Sequence, residues 1–336
     1  MVKDFRYIMI SSKYITREIH RQEWDIYWDK IEFSNLLQSW EYGEAKNSSQ
    51  GWIPLRYAIE TVDGEVIAIA QILTRTLPFL GGVARLNRGP LLLTEFTDPN
   101  SDNYLEVLKS VLMLKKEKRW WLFFIAPEMV RNSIEMTELR PLGLRLRRTS
   151  RWGSSLIDLE EELDDIVKNL NGKWRNLLRK AQKSDLQIRK ILASDPEFEH
   201  AMYLYSNMQK EKNFSGMPIN LLRDLGGCRG TMWGFNVYLG ELDFPSGKKT
   251  VGMVITVRHG STTTYLIGYS GHEGRKLSVN YLLLFQAITD AQESGCLSFD
   301  LGGLNENTPK GVAHFKRGIS GKEYELFGEL IPRVLL

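Results

Sequence analysis

The chain is poor in the residues that most often announce a chemistry. Its 336 residues include only two cysteines, Cys228 and Cys296. They lie far apart and match no metal-ligand spacing, so a disulfide framework and a zinc site are both unexpected, and a reducing cytoplasm is the default compartment. The five histidines are scattered, with no His-x-Glu or His-x-x-x-His pairing to hold a metal. No apolar run approaches the roughly 20 residues that cross a bilayer. The start, Met1-Val2-Lys3-Asp4-Phe5-Arg6, lacks the apolar stretch of a signal peptide. A formal net charge of +3 is too small to imply general nucleic-acid binding, and DNA is not an expected partner.

What is present describes an ordinary globular protein, with 43% apolar and 25% charged residues. The length is large for one core and suits two domains of roughly 150 residues, 1–150 and 151–336. The halves repeat one order of patterns. In the first, an apolar run Val66-Ile67-Ala68-Ile69-Ala70 leads to a second strand-like run over 83–93, a helical pattern over 104–118 and a buried-looking strand over 120–125. In the second, Val251-Gly252-Met253-Val254-Ile255 is followed by a strand over 262–269, a helix over 279–293 and a strand over 296–300. Both helical patterns open on Asn-Tyr-Leu, at Asn103 and at Asn280. Self-similarity in fixed order argues for two copies of one supersecondary unit. The expected class is mixed α/β (α+β): two tandem units, each a twisted mixed sheet flanked by helices, with a cleft between or within them.

Other segments add detail. Residues 18–30 suggest an amphipathic helix with Ile19, Trp24, Ile26 and Trp28 partly buried. Ser39 is a reasonable N-cap for a short helix carrying Trp40, Gly43 and Lys46. Pro90, in Arg88-Gly89-Pro90, marks an exit from strand pairing. Punctuation over 98–101 precedes the first long helix, and a basic stretch over 145–151 closes the first unit. In 173–183, Trp174, Leu177, Leu178 and Ala181 form one apolar helical face, leaving Lys173, Arg175, Arg179, Lys180 and Lys183 on the remaining surface. Such a cluster is either a solvated face or a phosphate-binding ridge.

Two places could carry chemistry. A strand ending at Tyr269-Ser270-Gly271 gives way to a polar loop, His272-Glu273-Gly274-Arg275-Lys276, and then to a helix near Ser278. Such a turn aims backbone N–H groups and a helix dipole at an anion, which makes Tyr269 and Arg275 candidate binding residues. The next strand ends in Asp300-Leu301-Gly302-Gly303, whose glycines permit close backbone approach and whose acid is expected to hold the turn. Phe315 and Lys316 lie beyond, in a Gly-flanked stretch.

Taken together, Gln38-Ser39-Trp40-x-x-Gly43-x-x-Lys46, Arg88-Gly89-Pro90, Lys173-Trp174-Arg175-x-x-Leu178-Arg179-Lys180-Ala181, Phe299-Asp300-Leu301-Gly302-Gly303 and Phe315-Lys316-x-Gly318 resemble the FemABX-like non-ribosomal peptidyltransferases, tandem proteins of the GNAT acetyltransferase fold. The resemblance covers about residues 35 to 330. It implies transfer of an aminoacyl group from aminoacyl-tRNA to an amine of a peptidoglycan or other cell-envelope precursor, in the pathways of cell-wall biogenesis and cell shape, with no cofactor. It implies that Lys46 helps bind the nucleotide-phosphate part of the precursor, and that Phe315-Lys316 meets the donor end of the tRNA and the transition state. A fixed ammonium beside the developing oxyanion stabilises charge that exists only during reaction. Arg88, Arg175 and Arg179 are the further candidates for phosphate.

The pattern departs from the family in three respects. Met217 stands where members acting on nucleotide-linked muropeptide have an arginine, and Ala126 replaces an acidic residue at the end of the late strand of the first unit. The helical hairpin of longer members is missing between 185 and 194. The acceptor is therefore open, and a nucleotide- or lipid-linked precursor fits either way. An acyl-CoA-dependent N-acyltransferase in a polysaccharide or lipid pathway is the alternative. Against it, Ser278 and Asn280 replace the glycines of the CoA-binding pattern in 275–280. A non-catalytic scaffold is the third reading. The basic ridge and the aromatic segment with Trp24, Tyr27 and Trp28 would also suit peripheral contact with the inner face of an anionic membrane.

Overall fold

A computed structural model describes residues 12–77, 81–97, 103–130, 136–147 and 152–332. The punctuation expected over 98–101 and the 148–151 end of the basic stretch lie outside them. Backbone contacts divide the chain into two units. One comprises Met1–Ile31, Ile53–Thr149 and Phe327–Leu336, the other Glu32–Trp52 and Ser150–Leu326. The boundary expected at 150/151 is therefore corrected in two places, because each unit takes a segment from the far side of that line.

In the first unit, one sheet runs in the order β1 (Ile15–Glu18), β2 (Ile53–Glu60), β3 (Val66–Leu77), β4 (Gly81–Asn87), β6 (Trp120–Ala126), β15 (Leu330–Pro332) and β7 (Leu144–Leu146), with β5 (Leu91–Leu92) pairing on β3. Its helices are α1 (Arg21–Trp28), α3 (Asn103–Glu117) and α4 (Met136–Leu139). The unbroken apolar run of β3 fits an interior strand: Ala68, Ile69, Ala70 and Ile72 are all fully buried. Val107, Val111 and Leu114 of α3 fall at helical spacing and pack over Ile72, Leu86, Phe123 and Ile125. Each such side chain contributes about 1.5–3 kcal/mol by leaving water. In α1, Trp24 and Trp28 are buried, but Ile26 is 61% exposed, so the apolar face is narrower than expected.

In the second unit the order is β14 (Lys322–Glu325), β8 (Gly153–Asp158), β13 (Ser298–Asp300), β12 (Thr262–Ser270), β11 (Gly247–His259), β10 (Trp233–Phe244) and β9 (Gln187–Ile191). Its helices are α2 (Trp40–Gln50), α5 (Leu163–Asn169), α6 (Gly172–Gln182), α7 (Phe198–Glu211), α8 (Ile219–Gly227), α9 (His272–Lys276), α10 (Val279–Glu293) and α11 (Lys310–Arg317). Ser39 caps α2 by accepting from the Tyr42 amide at 3.2 Å. The helix then packs on α8, which draws it into this unit.

The duplication is explicit in the pairing. β2, β3 and β4 are successively antiparallel, and β4 is parallel to β6 across α3. β10, β11 and β12 are likewise antiparallel, and β12 is parallel to β13 across α10. The start of α10 sits low on its sheet. Gly240 and Gly252 are cross-strand partners, and a Cβ on either would lie 2.3 Å from a Val279 methyl. Two local expectations are corrected: the polar loop after β12 is the helix α9, and the Gly-flanked stretch around Phe315 is the helix α11.

Candidate functional site

The site is built where β13 ends. Asp300 is 3% exposed and its carboxylate is fully engaged. Oδ1 accepts from the Gly302 amide at 2.7 Å and from the Ser154 hydroxyl, and Oδ2 accepts from the Tyr324 hydroxyl at 2.9 Å. These bonds fold the chain into a tight turn with Gly302 at φ +67°. A Cβ there would lie 2.6 Å from the Tyr265 carbonyl oxygen, so glycine is required.

The turn points two carbonyls at one cation. Lys316 Nζ donates to Gly302 O at 3.0 Å and to Gly303 O at 2.9 Å, and lies 5.4 Å from the centre of the Tyr265 ring. The residue is only 6% exposed. Burial lowers its ammonium from 10.5 to about 8, while the Asp300 carboxylate acts in the opposite direction. An ammonium has three donors, and no further partner occupies the third among the described residues.

Phe315, the preceding residue on α11, turns to a different neighbourhood. Its ring meets Tyr281 edge-on at 5.0 Å and lies 6.1 Å from Trp174. The Trp174 indole N–H donates to the Phe315 carbonyl at 3.1 Å. The first turn of α6 is thereby fixed beside α11.

The remaining candidates are dispersed. Lys46 lies on α2, inside the second unit rather than the first, and its ammonium donates to Gln50 Oε1. Arg88 is in the first unit, where Glu128 holds its guanidinium at 2.8 and 2.7 Å. Arg175 is removed from the basic ridge: its Nη2 donates to the carbonyls of Leu170 (3.0 Å) and Lys168 (3.3 Å), closing the end of α5. Arg179 is exposed on α6 without a polar partner among the described residues. Tyr269 is half-buried near the end of β12, four positions from Tyr265, or roughly 13 Å along a strand. Arg275 on α9 donates to the Ser270 carbonyl at 2.8 Å. The structure thus brings Asp300, Gly302, Gly303 and Lys316 together, sets Phe315 on the same helix but against Tyr281 and Trp174, and leaves the others apart.

Ser154, Tyr265 and Tyr324 belong to the site and carry no sequence motif. Only the inward alternation of β12 could have pointed to Tyr265. An open depression of about 450 Å³ also lies in this unit between α2 and α8, lined by Glu44, Asn47, Arg223, Asp224 and Cys228 among others.

The segment 275–280 has its own geometry. Leu277 N donates to Glu273 O at 3.1 Å and Ser278 N to Arg275 O at 3.2 Å, while Lys180 Nζ donates to Lys276 O at 2.7 Å. The Leu277 and Ser278 amides are thus bonded within the fold, while Val279 and Asn280 open α10.

Residues 168–317 match the family model described as an acetyltransferase (GNAT) domain. The crystal structure of FemX superposes with a TM-score of 0.77 at 17% identity, covering 95% of this chain and 97% of that one. The fold is the tandem GNAT arrangement of FemX. A more distant similarity, with a TM-score of 0.53 at 11% identity over 88% of each chain, is to the C-terminal domain of a putative lysylphosphatidylglycerol synthetase from Agrobacterium fabrum. A tandem GNAT protein from the clavulanic acid biosynthesis pathway gives 0.54 at 9% identity, covering 96% of this chain and 98% of that one. No curated protein sequence matches the chain. Among the described residues no His, Cys, Asp and Glu cluster could hold a metal, and no helix is long and apolar enough to cross a membrane.

Proposed function

We propose that the protein is an aminoacyltransferase that moves an aminoacyl group from aminoacyl-tRNA to an amine of a cell-envelope precursor. The observation that carries this reading is the buried Lys316 ammonium, held by the Gly302 and Gly303 carbonyls with one N–H to spare, within a FemX-like fold. Of the amides that a CoA pyrophosphate would use at the 275–280 turn, those of Leu277 and Ser278 are already bonded within the fold. A donor held along the second unit by other contacts has no such requirement. The names of two structural neighbours, FemX and a lysylphosphatidylglycerol synthetase, support an aminoacyl donor and an envelope acceptor.

In this reading the acceptor amine attacks the ester carbonyl, whose oxygen becomes an oxyanion. Collapse of this intermediate breaks the ester bond and releases the terminal ribose hydroxyl of the tRNA, which leaves with the proton that the amine gives up. Lys316 is charged at neutral pH because about 8 still lies above 7. Its position is fixed by the Gly302 and Gly303 carbonyls before substrate arrives, so its remaining N–H meets the oxyanion without reorganisation. One such donor is worth roughly 3–4 kcal/mol of barrier. Asp300 is not the base that takes the amine proton, since its oxygens already accept three hydrogen bonds and its negative charge keeps the ammonium protonated. Phe315 holds α11 in register through Tyr281 and Trp174.

The test is incubation of the protein with an extract of envelope precursors and either radiolabelled aminoacyl-tRNA or radiolabelled acetyl-CoA. Label is expected to pass to the precursor from aminoacyl-tRNA alone. Transfer from acetyl-CoA alone would overturn the proposal in favour of the CoA-dependent reading.

A further inference from the structure

One cluster of positive charge falls on and around a single helix, α6. Residues 166–184 contain Lys168, Lys173, Arg175, Arg179, Lys180 and Lys183 and no aspartate or glutamate, against a formal net charge of +3 for all 336 residues. The structure sorts these six. Lys168 pairs with Asp165, Arg175 closes α5, and Lys180 closes α9. Lys173, Arg179 and Lys183 are exposed and have neither an ion pair nor a side-chain hydrogen bond among the described residues.

At 3.6 residues per turn, Lys173, Asn176, Arg179, Lys180 and Lys183 fall within a sector about 120° wide, opposite the buried Trp174, Leu178 and Ala181. Lys173 and Lys183 are separated by about 15 Å along the helix axis. The stripe also has a direction. At one end Lys173 adjoins Trp174, whose ring lies 6.1 Å from that of Phe315 and whose indole N–H donates to the Phe315 carbonyl. At the other end Lys180 ties α6 to the close of α9.

We infer that this stripe is a rail for the phosphate backbone of the tRNA acceptor stem, leading its aminoacylated end toward α11 and Lys316. The inference rests on aminoacyl-tRNA being the donor and adds where on the protein the RNA lies. A row of unpaired cations on one helix face, with an amide side chain among them and no acid within α6, complements successive phosphates without reading bases. Binding through it is therefore salt-dependent and insensitive to stem sequence.

The probe is a deacylated acceptor-stem minihelix, titrated by fluorescence anisotropy at several salt concentrations. The K173Q/R179Q/K183Q variant should bind roughly tenfold or more weakly at low salt, with a log K against log salt slope shallower by about 2 to 3. Its melting temperature should match the parent because all three side chains are exposed. A K248Q/K249Q variant, which removes two exposed lysines of β11, should bind like the parent. Equal binding by parent and triple variant, or no minihelix binding by the parent, overturns the inference. So does a loss confined to vesicles containing phosphatidylglycerol, which would assign the stripe to a membrane. The transfer assay decides the donor separately: transfer undiminished in the triple variant removes the rail and keeps the donor, whereas minihelix binding without transfer keeps the rail and removes the reaction.

Discussion

Lys316 Nζ and the carbonyl oxygen of Gly303 are 2.9 Å apart, and with the Gly302 oxygen at 3.0 Å they fix an ammonium 6% exposed at the end of β13. Lys316→Met keeps the length of the side chain and removes the charge. If Lys316 meets the oxyanion, kcat should fall about 10²- to 10³-fold while KM for either substrate changes little. Steady-state kinetics on purified precursor checks this, and an unchanged kcat would return Lys316 to a purely structural role.

The same lysine makes stability depend on pH. Its pKa in the folded chain, about 8, lies below the 10.5 of the unfolded chain, so between those values the unfolded state binds more protons. Stability therefore rises with pH through this window. The difference is on the order of 3 kcal/mol at 1.36 kcal/mol per pH unit. Urea unfolding at pH 7 and pH 10 should show the parent gaining on Lys316→Met by about that amount. Equal gains in both proteins would refute the buried charge.

Asp300 and Lys316 are electrostatically coupled, with the carboxylate raising the pKa of the ammonium. Asp300→Asn removes that support, so the alkaline limb of the kcat profile should move from about 8 to lower pH. The substitution also costs about 1–3 kcal/mol, because a single amide oxygen replaces the two carboxylate oxygens that accept from the Gly302 amide and the Ser154 and Tyr324 hydroxyls. A pH–rate profile together with a thermal melt separates the two effects.

Gly252→Ala should destabilise by about 1–3 kcal/mol, since the new Cβ would lie 2.3 Å from Val279 and must displace the start of α10. Pairing it with Val279→Ala should recover part of the loss. A double-mutant cycle of unfolding free energies measures this coupling.

Arg175→Gln should lower stability and leave minihelix binding and its salt slope unchanged. Its guanidinium closes α5 on the Leu170 and Lys168 carbonyls instead of meeting solvent. A slope shallower by about 1 would return Arg175 to the basic stripe.

The strand–strand–helix–strand repeat is legible in the sequence because its signals are local. β3 and β11 are long apolar runs, α3 and α10 share Asn-Tyr-Leu in their first turns, and Ser39 is a cap whose partner is three residues away. The Asp300-Leu301-Gly302-Gly303 motif is equally local, since the Gly302 amide bonds back to Asp300. Long-range contacts are not readable in this way. Ser154 reaches Asp300 across 146 positions, and nothing near Ser154 announces it. Arg175 looks like every other cation of α6 until α5 is placed beside it. Phe315 and Lys316 read as a loop between glycines because their helix is short and takes its register from Trp174 and from the Gly302–Gly303 carbonyls. Lys46 changes unit because α2 follows α8 rather than its neighbours in sequence.

The strand β15 comes from the far end of the chain yet sits between β6 and β7, and α2, encoded early, belongs with the later unit. No single cut in the polypeptide yields both halves intact. A fragment ending near residue 150 would present the unsatisfied edge of β6 to water, inviting pairing with other molecules. A fragment beginning there would lack the helix that covers α8. Ribosomal synthesis must therefore pass residue 332 before the first sheet can close, so the unit begun first is completed last.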